Sequence, residues 1–172
     1  YNFPSFLKCL QEQKILMPGI VREWLTELKN TVGSMMSKDK LVKQYGKYGI
    51  GYPQIDMLVA MYDLEAEERL CKNPYVVLYK LDLDFQVADF LAKDLGFSYL
   101  SNERVRAMIY QVLNDNESHG NTAMKKRDFY MACARLHRVS AWKDYVVSPY
   151  YILVVMSGMN TVYCENGLVG YI

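Results

Sequence analysis

A mainly α-helical chain that ends in a β-hairpin is the fold class this sequence predicts, on three observations. Apolar residues recur at three- and four-residue offsets through the first two thirds of the 172 positions, the spacing that lines one face of a helix. Glycines and Asn-Pro or Ser-Pro steps punctuate those runs where helices start and stop. Near the end, Asn166-Gly167 separates two short β-prone segments, and Asn-Gly readily takes the positive φ values of a type I′ turn.

Composition sets the limits. With 51% hydrophobic and 23% charged residues, the chain can bury the core of one domain or two small subdomains. Lys and Arg number 20 against 19 Asp and Glu, so any affinity for nucleic acid has to come from a local patch. The longest apolar run, Tyr150 to Met156, is far shorter than the roughly 20 residues of a membrane-spanning helix, and no membrane partner is expected. The opening Tyr1-Asn2-Phe3-Pro4 shows no secretory signal, and without an initiator Met it reads as the start of an excised fragment. Cys9, Cys71, Cys133 and Cys164 lie dozens of residues apart with no CxxC pair, which argues against a zinc ribbon or redox motif and for a reducing, cytoplasmic setting.

Taken in order, Phe3, Phe6, Leu7 and Leu10 mark a first helix, with Pro4 in its first turn and Pro18-Gly19 at its end. Ile20, Trp24, Leu25, Leu28 and Val32 mark a second, stopped near Gly33. A third, from about Ser34, turns Met35, Leu41, Val42 and Tyr45 toward a core, while Lys40, Lys43 and Lys47 share an outer face. In Tyr48-Gly49-Ile50-Gly51-Tyr52-Pro53 two glycines permit a tight connection before Ile55, Leu58, Val59 and Tyr62 resume helical spacing. Two helices so joined make a helix-hairpin-helix candidate.

Asn73-Pro74 starts a short helix to Tyr79, since Asn accepts a bond from an otherwise unpaired N–H and Pro presets φ. After a break at Leu81-Asp82-Leu83-Asp84, residues Val87, Phe90, Leu91, Asp94 and Leu95 trace the next helix, and Gly96 sits where a left-handed terminal residue is expected. Ser101 or Asn102 caps a helix with the stripe Val105, Met108, Ile109, Val112 and Leu113, and Asn114 to Asn121 reads as its polar exit loop. Met124, Phe129, Ala132, Cys133 and Leu136 define another helix, which carries Lys125, Lys126, Arg127, Arg135 and Arg138, the densest positive charge in the chain. A loop from Val139 to Val147 leads to the cap Ser148-Pro149. Tyr150 to Met156 has the content of a strand but the flanks of a helix, and the flanks favour a short helix. Three helices and then a β-hairpin is the winged-helix order. The chain therefore divides, on this reading, into a helix-hairpin-helix region over 1–97 and a winged-helix-like segment over 98–172.

From Tyr48 to about Leu136, a series of short motifs stands in a specific order: Tyr48-Gly49-Ile50, Asn73-Pro74-Tyr75, Ala88-Asp89, Lys93-Asp94-Leu95-Gly96, Arg104-Val105-Arg106-Ala107 and His119-Gly120. That series resembles the helical region ahead of the motor in RecD/TraA-type DNA helicases, relatives of the exodeoxyribonuclease V alpha subunit. The sequence departs from the family at Leu81-Asp82-Leu83-Asp84-Phe85, where relatives usually carry a Gly-Ile-Gly hairpin. Two carboxylates there repel the phosphate that a glycine hairpin admits.

The chain holds no GxxxxGK[ST] run to cradle a nucleotide. His119 and His137 have no nucleophile motif beside them, and Cys133 with His137 gives only two metal ligands. No catalytic, cofactor or metal residue is expected. The acids Asp63, Glu65, Glu67 and Glu68 read as a solvated helix start. The resemblance implies a non-catalytic accessory region of an ATP-dependent helicase that travels five-prime to three-prime, with the motor, its ATP and its Mg downstream. Expected DNA contacts are the amides near Gly49 and Gly51, the cations Lys43, Lys47, Lys125, Lys126 and Arg127, and Tyr48 and Tyr52 as stacking platforms. Single-stranded or forked DNA and the protein's own motor are the expected partners. The rival reading is a docking module for partner subunits of a helicase/nuclease complex.

Overall fold

The computed structural model describes residues 19–172, so the first expected helix, over Phe3 to Leu10, lies outside the described residues. Contacts divide the chain after Lys40 into two compact units, Tyr1–Lys40 and Leu41–Ile172. Helix α1 runs Gly19–Tyr45 without interruption, which corrects the expected stop near Gly33. Glycine weakens a helix interior by about 1 kcal/mol relative to Ala, which a long helix tolerates, and Gly33 does not take the left-handed conformation that commonly ends one.

Within the second unit the last turn of α1 places Leu41 and Tyr45 in the core. A 3-10 turn, Gly46–Tyr48, and the hairpin Gly49-Ile50-Gly51 lead into α2, Tyr52–Tyr62. Gly49 takes φ 85°, a conformation open to glycine at little cost, and that reversal drops Ile50 into full burial. Helix α3 spans Ala66–Lys72, α4 Pro74–Lys80 and α5 Phe85–Asp94. As expected, Asn73 caps α4, accepting the Val76 amide at 3.2 Å.

Helix α6, Asn102–Ser118, is the central element, packed by α4, α5, α7, α8 and β1. Its whole expected stripe, Val105, Met108, Ile109, Val112 and Leu113, is buried; each such side chain contributes about 1.5–3 kcal/mol on leaving water. Ser101 rather than Asn102 is the cap, accepting the Arg104 amide at 3.3 Å. The helix continues through Asn114 to Ser118, which corrects the expected exit loop: polar residues do not end a helix when their side chains bond along it, as Gln111 does to Asp115 at 2.9 Å.

Strand β1, Ala123–Lys125, precedes α7, Lys126–Arg138; then come α8, Pro149–Ser157, and the hairpin β2, Val162–Glu165, with β3, Leu168–Tyr171. The three strands pair antiparallel in the order β1-β3-β2, so helix, strand, two helices and a hairpin complete a small winged helix. Asn166 at φ 51° and Gly167 at φ 77° form the expected turn. Met124 and Lys125, expected in the following helix, belong instead to β1, where Met124 faces Val169 and Lys125 faces Leu168. Three residues are too few to show a period, and the strand exists because β3 supplies its partner.

Helix α5 corrects another expectation. Its buried face is Phe85, Ala88, Asp89, Leu91 and Ala92, while Phe90 is half exposed and Asp94 faces water. The helix is rotated from its apolar pattern because a carboxylate, Asp89, points inward.

Candidate nucleic-acid interface

The first hairpin presents two glycine amides, and both have internal partners. Gly49 donates to the Gly46 carbonyl at 2.9 Å and Gly51 to Gln54 Oε1 at 3.1 Å. The second bond ends on a side chain that can swing aside, so Gly51 is the amide most readily given over to a phosphate. Lys43 extends from the last turn of α1 with no ion-pair partner among the described residues.

Lys47 is placed differently. Its ammonium lies 3.0 Å from Asp94 Oδ2 and 4.6 Å from the centre of the Tyr48 ring. The Tyr48 hydroxyl donates to the same carboxylate oxygen. Both residues expected to meet DNA are thus drawn onto an acid at the end of α5, and Lys47 covers one face of the ring meant for stacking. Tyr52 is exposed at the first position of α2.

Hydrogen bonds from Tyr48 and then Lys47 hold the Asp94 carboxyl below the usual carboxylate range. A carboxylate favoured in the folded chain keeps its contacts above its ordinary pKa and loses them as pH falls through the lowered value. The Tyr48 and Lys47 side-chain NMR signals are therefore expected to stay constant from neutral pH down to about 4 and to shift together below it. Asp94→Asn should abolish that coupled shift; a shift that persists in the variant would assign it elsewhere.

The second hairpin has the same backbone plan with different chemistry. Asp82 takes φ 54° where the first hairpin has Gly49. Leu83 follows it as Ile50 follows Gly49, and Asp84 stands before α5 as Gly51 stands before α2. Asp82 and Asp84 are both exposed, so this hairpin offers a phosphate two negative charges.

The third group is Lys125, Lys126 and Arg127. Lys125 ends β1, Lys126 opens α7 with its amide on the Gly167 carbonyl at 2.8 Å, and Arg127 is exposed beside it. Cations at a helix N-terminus oppose the macrodipole, which favours anions there by about 0.3–1 kcal/mol each. Only Asp128 in the first turn offsets them. The three side chains form no ion pair among the described residues, and the wing's turn beside them carries one further acid, Glu165. No hydrogen bond or ion pair among the described residues joins this group to the glycine hairpin.

Beneath these surfaces lies a buried cluster that the sequence did not reveal as one. Arg104 and Asp89, both fully buried, pair through Nε–Oδ1 at 2.8 Å and Nη2–Oδ2 at 3.2 Å. Tyr75 donates to Asp89 Oδ1 at 2.8 Å and the Ala141 amide to Oδ2 at 3.3 Å. Arg104 also reaches the Tyr99 carbonyl at 3.1 Å, Ser140 Oγ at 3.1 Å and His137 Nδ1 at 3.2 Å, with its plane 4.9 Å from the Trp142 ring. A guanidinium only donates, so His137 accepts at Nδ1 and carries its proton on Nε2, which donates to the Tyr145 carbonyl at 2.7 Å. Both ring nitrogens are engaged, which leaves neither for a metal. Burial, then the neighbouring Asp89 charge, pushes the Tyr75 hydroxyl up, which keeps it a donor.

Tyr75, Asp89 and Arg104 come from three of the short motifs that stand in order along the sequence. Lys93 from a fourth bonds the Ala141 carbonyl at 2.8 Å; Gly96 of that same motif, and Gly49 and Gly120 of the remaining two, supply left-handed turns. Four of the six motifs therefore meet in or beside one buried cluster, spread along the chain and gathered in space. A family model described as the ATP-dependent RecD2 DNA helicase HHH domain matches residues 34–123, half of the chain. The chain belongs to this family. Comparison with curated proteins and with solved structures returns no match. The RecD2 match covers both hairpins, α6 and the start of β1, and it makes this region an accessory domain of a helicase family. Among the described residues, no helix is long and apolar enough to cross a membrane.

Proposed function

We propose that this RecD2-family region contacts single-stranded or forked DNA beside a helicase motor and guides or separates its strands. The observation that carries the reading is the group of unneutralised cations at the start of α7, where helix stability alone favours the opposite charge. Lys43 and the Gly51 amide supply a second contact at the first hairpin, and the acidic second hairpin stays away from phosphate. The division near 97/98 belongs to the same proposal, with backbone contact on the hairpin side and strand contact at the wing. The parent protein, on this reading, is a cytoplasmic ATP-dependent helicase that moves five-prime to three-prime, its ATP and Mg bound by a motor domain.

Anisotropy titration of the 172-residue chain against labelled single-stranded and forked DNA tests the interface. Four phosphate contacts should weaken binding about fiftyfold between about 50 mM and about 200 mM salt. Lys125→Glu with Lys126→Glu should remove most of the affinity and flatten the salt slope. A wild-type chain that ignores DNA, or binds it with no salt dependence, rules the interface out.

A second reading has its own support. Helix α8, third in the winged-helix order, reads Pro-Tyr-Tyr-Ile-Leu-Val-Val-Met-Ser, without one charged or amide side chain. Groove readers need such donors and acceptors, yet this helix shows water Tyr150 at 76% and Val154 at 48% exposure. That face suits docking on protein, either the motor or a partner subunit. Tyr150→Glu weakening a subunit contact while leaving DNA affinity intact would select this role for the helix.

A further inference from the structure

A cavity of about 730 Å³ opens between α4 and the second hairpin on one side and α6 on the other, with β3 at one end. Its walls are aromatic. Tyr79 is 61% exposed, and its far end is tied: its hydroxyl accepts Asn114 Nδ2 at 3.0 Å. The oxygen of the same amide accepts the Tyr171 hydroxyl. Tyr171 stacks on Tyr110 with centroids 6.1 Å apart, and Tyr110 is tied to Thr161 Oγ1 at 2.8 Å. One amide side chain thus fixes the outer ring to a stacked pair.

An exposed aromatic side chain anchored at its far end is a platform partly prepared in advance, because some of the ordering entropy of capture is already lost. The cavity also carries cations. Lys80 and Arg106 line it, and their recorded partners are neutral oxygens, the Tyr62 hydroxyl at 3.3 Å and the Gly158 carbonyl at 3.3 Å. Glu103 is the one carboxylate among the lining residues. Aromatic faces beside unneutralised cations are the combination that holds single-stranded nucleic acid, and the volume is within the roughly 300–1,000 Å³ of small-ligand sites.

We propose that this cleft takes an unstacked nucleobase of single-stranded DNA, stacked on Tyr79, with its phosphate toward Arg106 on α6, across the cleft from the acidic second hairpin. The inference rests on the DNA-contact reading but uses none of its residues. An apolar side chain of a partner protein is the competing occupant.

Two measurements separate the possibilities. In anisotropy titrations with a thymidine homopolymer of about fifteen nucleotides, Tyr79→Ala should weaken binding about tenfold, and Tyr79→Phe, which keeps the ring, markedly less. Arg106→Ala gives an independent arm should Tyr79→Ala lose its fold by circular dichroism. Wild-type affinity in both Tyr79→Ala and Arg106→Ala, with the Lys125→Glu, Lys126→Glu chain still impaired, overturns the cleft and leaves the interface standing. In the second measurement thymidine monophosphate is titrated into the isotope-labelled chain. Amide shifts clustered at Tyr79, Asn114 and Tyr171 support the cleft even if the whole chain fails to hold a long strand; their absence overturns it.

Discussion

Arg104→Met is expected to destabilise the chain by about 3–5 kcal/mol, because it leaves the Asp89 carboxylate buried without its countercharge. Both partners are fully buried, so water cannot replace the guanidinium. The loss should appear as a fall of about 10 °C in the midpoint of thermal unfolding followed by circular dichroism. The bonds to Ser140, His137 and the Tyr99 carbonyl go with it. Removing both charges is a different experiment. Asp89→Leu combined with Arg104→Met should recover a large part of the stability, since a buried pair can be replaced by apolar groups at little net cost, whereas half a pair cannot be left. If the single variant melts within about 2 °C of wild type, the pair does not organise the core.

Gly170→Val should have the second-largest effect. Gly170 is buried in the central strand β3, paired with Ala123 on one side and Tyr163 on the other. A Cβ placed there would come 2.7 Å from the Thr122 carbonyl oxygen and 2.9 Å from the Tyr163 ring. The ring can turn, but the Thr122 backbone is fixed by the strand that follows it. A glycine inside a strand often marks close approach of another backbone, and overpacking of this kind costs about 1–3 kcal/mol. The upper end is expected, with β1 detached from the sheet and faster amide exchange at Met124 and Lys126, whose N–H groups face β3. Unchanged exchange at those two amides would show that the sheet tolerates the added bulk.

Capping and turn signals in the sequence were reliable, whereas the stops read from Gly33 and from the polar run Asn114 to Asn121 were not, because neither a glycine nor polar residues alone end a helix. Asn73, Ser101 and Ser148 cap the helices they precede, and the flanks of Tyr150 to Met156 correctly favoured a helix over a strand. Asn166-Gly167 turns because both residues accept positive φ. What could not be read was whatever depends on a distant partner. Three residues become β1 only when β3 arrives beside them, and α5 turns Asp89 inward only because Arg104 awaits it 15 positions later. The contact of Lys47 and Tyr48 with Asp94 was equally hidden, because the fold brings that acid to them across 47 and 46 positions. The ordered motifs did hold a clue to the buried cluster: an acid, an arginine and a tyrosine in separate helices, none at a turn or cap, read more naturally as mutual partners than as three surface groups.

The Asp89–Arg104 pair has a mechanical consequence. It ties α5 to α6, and His137 and Ser140 extend the tie to the last turn of α7 and the segment that follows it. Separating the two groups would leave each charge buried without its partner, so sliding α5 past α6 at this point costs about 3–5 kcal/mol, and the two helices are expected to move as one piece.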